Sequence, residues 1–338
     1  MVLNVHTFFA PPQLYLSVGQ AFGEGVGIDF LREATSISCV NLFVLISGYF
    51  GIKWKAKSIA SLIFQVYFWI FLVYLTSIIF ITGTFDLRDF VYRLNGLMTG
   101  YWFIPCYLGL YIMAPLLNAF VDISSKNKMY LFLIVFYIYQ LWNQTLSASN
   151  NFLNGYSVLS FCGLYMIGRF ISKYRISEAN FFAKKWKIFA YIVIVTLIIA
   201  ISSFLLGALL KNGGTSIMSG LPLALIYNNP FVIIQSILIF IFFLKLNIQN
   251  RFINWCAAGA LAIYLLHMHP DIKEMFYSYA QSLYQCSLLE HYLSLILLFI
   301  CVALVALPVD WVRRLTFEKI YSVCSGYLKK CYSKVSKK

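Results

Sequence analysis

A chain of 338 residues that is 61% hydrophobic and only 11% charged, with a mean hydropathy of +0.79, cannot hide its apolar side chains in one soluble core. The net charge of +14 does not point to nucleic acid, because the basic residues sit in short loops and at the C-terminus and not on one polar face. Eight cysteines without a CxxC pair give no sign of a zinc site or a disulfide framework; most lie within apolar runs and read as small packing residues.

Apolar runs long enough to cross ~30 Å of hydrocarbon recur along the chain. They lack the period-2 alternation of a barrel strand, so they predict helices, which satisfy their own backbone in lipid. In chain order the predicted spans are 1–10, 33–51, 58–82, 101–119, 129–147, 153–171, 188–210, 229–246, 254–269 and 291–309. The fold class is therefore all-α: a polytopic transmembrane helix bundle of about ten spans, the first of them truncated. That first segment, MVLNVHTFFAPP, has no basic n-region and reaches a Pro pair after ten residues, too short for an ordinary signal peptide or a full span. Between the seventh and eighth spans, Asn212 to Asn228 carries Gly213, Gly214, Gly220 and Pro222 and reads as a loop with a partly embedded turn. With no long polar insertion, residues 1–311 form one transmembrane domain and 312–338 a basic cytoplasmic tail.

Orientation follows from Lys and Arg in alternate loops. Of 26 such residues, twenty fall in one set of loops plus the tail, including Lys53, Lys55, Lys57, Lys126, Lys128, Lys173, Lys184 and Arg251. The opposite set holds five: Arg32, Arg88, Arg93, Lys211 and Lys273; Arg169 lies within a span. Cytoplasmic loops carry the excess, so both termini are predicted inside. Lys329, Lys330, Lys334, Lys337 and Lys338 would keep the tail there, beside anionic lipid.

Against this background, polar groups at membrane depth are the informative ones, because they are costly there and face a cavity or a partner. His6 lies in the first segment; Arg32 and Glu33 open the second span, with Asn41 and Ser47 further along it. Tyr101 and Trp102 open the fourth span, Asn228 precedes the eighth, and His267 closes the ninth, with His269 just beyond. Each has a plain structural explanation. A His at a helix end can be interfacial, Tyr101 and Trp102 suit an aromatic belt, Arg32 and Glu33 can pair at the surface, and Ser47–Gly48 lets two helices pack closely. Together at one depth they outline a cleft. His267 and His269 have no acidic or Cys partner at ligand spacing, so no metal is expected.

The runs CVNLFVLISGYFGIKWK, YWFIPCYLGLYIMAPLLN, YNNPFVIIQSILIFIFFLKL and AGALAIYLLHMHP, in that order, with the closing DWVRRLTFEKI, resemble the membrane acyltransferase-3 family from about residue 2 to residue 320. Its members are bacterial ten-helix enzymes related to O-acetyltransferases of surface polysaccharides. The resemblance implies a multi-pass protein of the bacterial cytoplasmic membrane that moves an acyl group, usually acetyl, from acyl-CoA to a hydroxyl of a glycan or lipid-linked sugar. It places the family's first-helix His at His6 and sets His267, Asn41, Ser47, Gly48 and Trp102 in the family's recurrent stretches. An imidazole titrates near neutral pH and suits the removal of a hydroxyl proton, or it can first accept the acyl group itself. Arg32, Tyr101, Trp102 or Asn228 are then the groups to stabilise an oxyanion or stack on a sugar ring. The chain departs from the family in one respect. A basic residue usual eleven positions before that His, thought to engage the acyl-CoA, would lie upstream of Met1; either the reading frame extends upstream, which the half-length first span favours, or the chain lacks part of its donor site and with it the activity. The competing reading is a polysaccharide export component, but the inverted repeats typical of transporters are not visible.

Overall fold

The computed structural model describes residues 1–8, 26–94, 100–146, 151–212 and 225–335. Every regular element among them is helical. The helices divide into two units, each treated separately below: residues 1–53 with 102–249, and residues 54–101 with 250–338.

The first unit contains α1 (Val2–Phe8), α2 (Val26–Ser36), α3 (Cys39–Phe50), α6 (Phe103–Ile123), α7 (Lys126–Leu146), α8 (Val158–Lys173), α9 (Lys185–Asn212) and α10 (Pro230–Leu244). The second contains α4 (Ala56–Ser77), α5 (Leu87–Leu94), α11 (Arg251–Ala258), α12 (Ala260–His267), α13 (Pro270–Ser282) and α14 (Leu288–Val335). Helix starts follow local chemistry. Asn229 accepts from the Phe231 amide at 2.8 Å ahead of Pro230, and Asn250 accepts from the Phe252 and Ile253 amides at 2.8 and 3.1 Å. In both cases a side-chain oxygen takes up orphan amides of the first turn.

Among the described residues, five helices are long and apolar enough to cross a membrane: Gly27–Phe50, Ala56–Phe80, Phe103–Ile123, Lys185–Leu206 and Leu288–Gly326. The pair Arg251–His267 and Pro270–Gln285, bent by 87°, makes a sixth if it is one span. The protein is thus an all-helical membrane protein. Only 28% of the most apolar stretch of Lys185–Leu206 is buried inside the protein. Its outward face, with Phe189, Ile194, Leu197 and Ile201, suits lipid and not water.

Three details differ from the sequence reading. The span predicted as 33–51 begins earlier and is broken at Ile37 and Ser38 into α2 and α3. The ninth span turns sharply after His267, because Pro270 cannot continue the helix and His269 instead caps α13, accepting from the Asp271 amide at 3.2 Å. The last helix runs without interruption through residue 312, where the tail was expected to begin, to Val335. Most of the predicted glycine-rich loop, 213–224, and Lys337 and Lys338 lie outside the described residues.

Polar side chains gather inside each unit. In the first, Gln235 of α10 donates to the Ala34 carbonyl at 2.8 Å and to Thr196 Oγ1 of α9 at 2.7 Å, tying three helices at the α2–α3 break. In the second, the buried Asp310 accepts from Gln65 Nε2 at 2.9 Å and Arg313 Nε at 2.7 Å, with Arg314 Nε 3.2 Å from its other oxygen. Buried charges endure when they are paired in this way.

Candidate active site

The site is built from the short helix α1 upward. Asn4 and Thr7, three residues apart, lie on the side of α1 that meets α2. Asn4 Nδ2 donates to the Arg32 carbonyl at 3.0 Å and to Ser36 Oγ at 2.8 Å. Arg32 returns two bonds from Nη1, to Asn4 Oδ1 and to Thr7 Oγ1, each 2.8 Å. Its Nε binds Asp29 Oδ1 at 3.1 Å, one turn back on α2. The guanidinium is thereby fixed as a clamp between the two helices, a geometry its planar fork of donors is suited to hold. His6 stands on the clamped helix and is itself buried.

The sequence reading allowed Arg32 and Glu33 to pair at the surface; the structure separates their roles. Arg32 pairs with Asp29, and Glu33 is fully buried with no hydrogen-bond partner for either carboxyl oxygen among the described residues. Phe30 and Ala34 of α2, with Ile37 at the break that follows, pack in a core with Tyr227 and the half-buried Trp102. Trp102 lies almost parallel to Tyr227, with ring centroids 5.7 Å apart, and 4.3 Å from the ring of Tyr156. Asn41 of α3 donates to the Tyr227 carbonyl at 2.7 Å, and Gln140 of α7 donates to the Asn228 carbonyl at 3.0 Å. Four of the predicted residues, Glu33, Asn41, Trp102 and Asn228, thus fall in one cluster, and Arg32 adjoins it on α2.

The remaining predicted residues go elsewhere. Ser47 lies six residues beyond Asn41, roughly 9 Å along the helix axis. Its hydroxyl donates to the Phe43 carbonyl at 3.0 Å and sits 3.1 Å from the Tyr107 hydroxyl, so it belongs to the α3–α6 contact. Tyr101 and His267 are in the second unit. There the Tyr101 hydroxyl donates to the Leu265 carbonyl at 2.8 Å, and His267 Nδ1 lies 2.5 Å from the Ile263 carbonyl of its own helix.

Sequence reasoning missed Asn4, Thr7, Asp29 and Tyr156. Asp29 had a signal, standing one turn before Arg32. Asn4 and Thr7 share the short segment with His6 and share a face by their spacing. Tyr156 had none. It enters the cluster through a tight turn in which Gly155 adopts φ +101°, and a Cβ there would meet the Tyr227 Cβ at 2.5 Å.

No curated protein and no solved structure matches the chain. The family comparison is positive: residues 1–312 match the acyltransferase-3 model, described as an acyltransferase domain. That match begins with the segment carrying His6 and takes in α2, α3, the Trp102 stretch and the Tyr227–Asn228 turn. With a helical membrane fold and a buried polar cluster beside the clamped histidine helix, the chain belongs to the membrane acyltransferase-3 family and is an acyltransferase.

Proposed function

We propose that the enzyme is an O-acyltransferase of the bacterial cytoplasmic membrane that moves an acetyl group from acetyl-CoA to a hydroxyl of a surface polysaccharide or lipid-linked sugar. In this reading about ten spans cross the bilayer, with both termini in the cytoplasm. The observation that carries it is the arrest of the histidine helix on α2: Asn4, Thr7, Arg32 and Ser36 hold a buried His6 in one position beside an internal polar cluster. A weak nucleophile such as a sugar hydroxyl needs a base held at a defined place.

His6 acts as that base. As the hydroxyl oxygen attacks the thioester carbonyl, the imidazole takes its proton; the C–S bond then breaks and the CoA thiolate leaves, recovering the proton from the imidazolium. The alternative order, in which His6 first takes the acetyl group and then passes it to the hydroxyl, uses the same atoms in two steps. Acyl-CoA is a substrate in either order, and no metal takes part.

The test is His6→Ala expressed in the native host. O-acetylation of the surface polysaccharide, read by NMR of the purified glycan, is expected to vanish while the protein stays in the membrane fraction at its usual abundance. Unchanged acetylation would remove His6 from the chemistry.

A further inference from the structure

Glu33 is 1% exposed, Asn41 0% and Asn228 3%, yet none has its hydrogen-bonding capacity filled. Both oxygens of Glu33, both side-chain atoms of Asn228 and Oδ1 of Asn41 lack a hydrogen-bond partner among the described residues. Buried polar atoms are nearly always paired, so three orphans in one neighbourhood require an explanation. All three border Tyr227. Asn228 follows it, Asn41 binds its carbonyl, and the Glu33 carboxyl lies within electrostatic reach of the Tyr227 and Tyr156 hydroxyls.

The rings complete the picture. Trp102, Tyr156 and Tyr227 are mutually within 5.7 Å by ring centroid. Tyr156 is 42% exposed, so the aromatic group is open at that end while the carboxyl and amides are closed off. The arrangement is built and held: Gly155 admits the Tyr156 turn, and Gln140 secures the Asn228 backbone.

We propose that this cluster is the subsite that holds the acceptor's sugar ring, an inference that deepens the acyltransfer reading and rests on it. A pyranose offers a flat face of C–H groups to aromatic rings and an edge of hydroxyls that both donate and accept. Hydroxyls donating to Glu33 and to Asn41 Oδ1, and exchanging bonds with the Asn228 amide, satisfy every orphan. A quaternary ammonium would also suit aromatic rings beside a carboxyl, but it would leave both amides unpaired.

Saturation-transfer difference NMR on the full chain in detergent micelles tests this directly. The probes are glucose, galactose, N-acetylglucosamine and rhamnose, with choline as the cation control. At least one sugar is expected to receive saturation on its ring-face protons, and choline none. Tyr156→Ala removes a rim ring; Glu33→Met keeps the buried volume and removes the carboxyl. Each is expected to weaken sugar binding about tenfold, the effect of one good contact. Glu33→Met should in addition raise the melting temperature of the ligand-free protein, because an unpaired buried carboxyl has been removed, a response that a purely structural Glu33 would not give. Silence from all four sugars, a sugar affinity that either substitution leaves unchanged, or saturation of choline overturns the proposal. Intact sugar binding without acetyl transfer counts against the acyltransfer reading and leaves the subsite standing.

Discussion

Arg32 ties α1 to α2 with bonds that a lysine cannot copy. Its Nη1 reaches Asn4 and Thr7 together, while Nε and Nη2 lie 3.1 Å from Asp29 Oδ1. A lysine ammonium keeps the charge but places it at one point. If His6 is the base, as proposed, Arg32→Lys is expected to leave insertion and abundance unchanged and to slow acyl transfer about 10²-fold, because the histidine helix would no longer be held within an ångström of its position. The transfer of labelled acetyl from acetyl-CoA in membrane vesicles measures this; an unchanged rate would show that Arg32 does not position the histidine helix. At this scale the sequence was half legible. Rarity in an apolar setting singled out Arg32, Glu33, Asn41 and Asn228 as worth noticing. It offered Glu33, next in sequence, as the partner of Arg32 and passed over Asp29, one helical turn back, which the structure shows to be the carboxylate that Arg32 pairs with.

Helix packing depends on two glycines that face each other across the α3–α8 crossing. A Cβ on Gly48 would come within 2.3 Å of the Tyr165 carbonyl oxygen, and one on Gly168 within 2.4 Å of the Leu45 carbonyl oxygen. The two backbones touch, as small residues allow in membranes where helices gain little from hydrophobic exclusion. Gly48→Ala must push α3 away from α8, and a cost of about 1–3 kcal/mol is expected from such overpacking. Thermal unfolding in detergent checks it against Gly27→Ala, where a Cβ would meet nothing within 4 Å and stability should hold or rise slightly. A Gly48→Ala protein as stable as the control would mean that the crossing is loose. The sequence flagged Ser47–Gly48 as a close-packing pair and located most helices, because apolar runs of membrane length leave few alternatives. It did not show the breaks. The interruption at Ile37 and Ser38 contains no Gly or Pro and is held by Gln235, which lies two hundred residues away and hydrogen-bonds the Ala34 carbonyl. The turn after His267 had a signal in Pro270, but the 87° angle depends on packing.

For the whole molecule, the ion pairs bear on topology. Arg93 of α5 pairs with Asp271 of α13 and with Asp89 at 2.8 Å. Burial lowers the Arg93 pKa, but the hydrogen bonds to Asp271 and Asp89 outweigh it and hold it above its ordinary value, so the pair persists at any physiological pH. The charge count assigned both of those loops to the outer face. Lys57 and Glu318, 2.6 Å apart, join two stretches assigned to the inner face. In the first unit Lys173 donates to the carbonyls of Val121 and Ser124 at 2.6 and 2.9 Å, again between two loops assigned inside. A miscounted span between any such pair would set its members on opposite sides of the bilayer, where they cannot meet. These contacts are consistent with an even number of spans between the paired loops; which side faces the cytoplasm rests, in the proposed reading, on the positive charge alone. Fusions read that orientation without disturbing the fold. A green fluorescent protein after residue 338 should fluoresce and an alkaline phosphatase there should be inactive, whereas a phosphatase inserted at Thr84 should be active, because it needs the oxidising exterior to form its disulfides. Phosphatase activity at the C-terminus with none at Thr84 would reverse the orientation, and activity at both positions would mean an even number of spans between them, which the Lys57–Glu318 contact does not allow when Ala56–Phe80 crosses the bilayer.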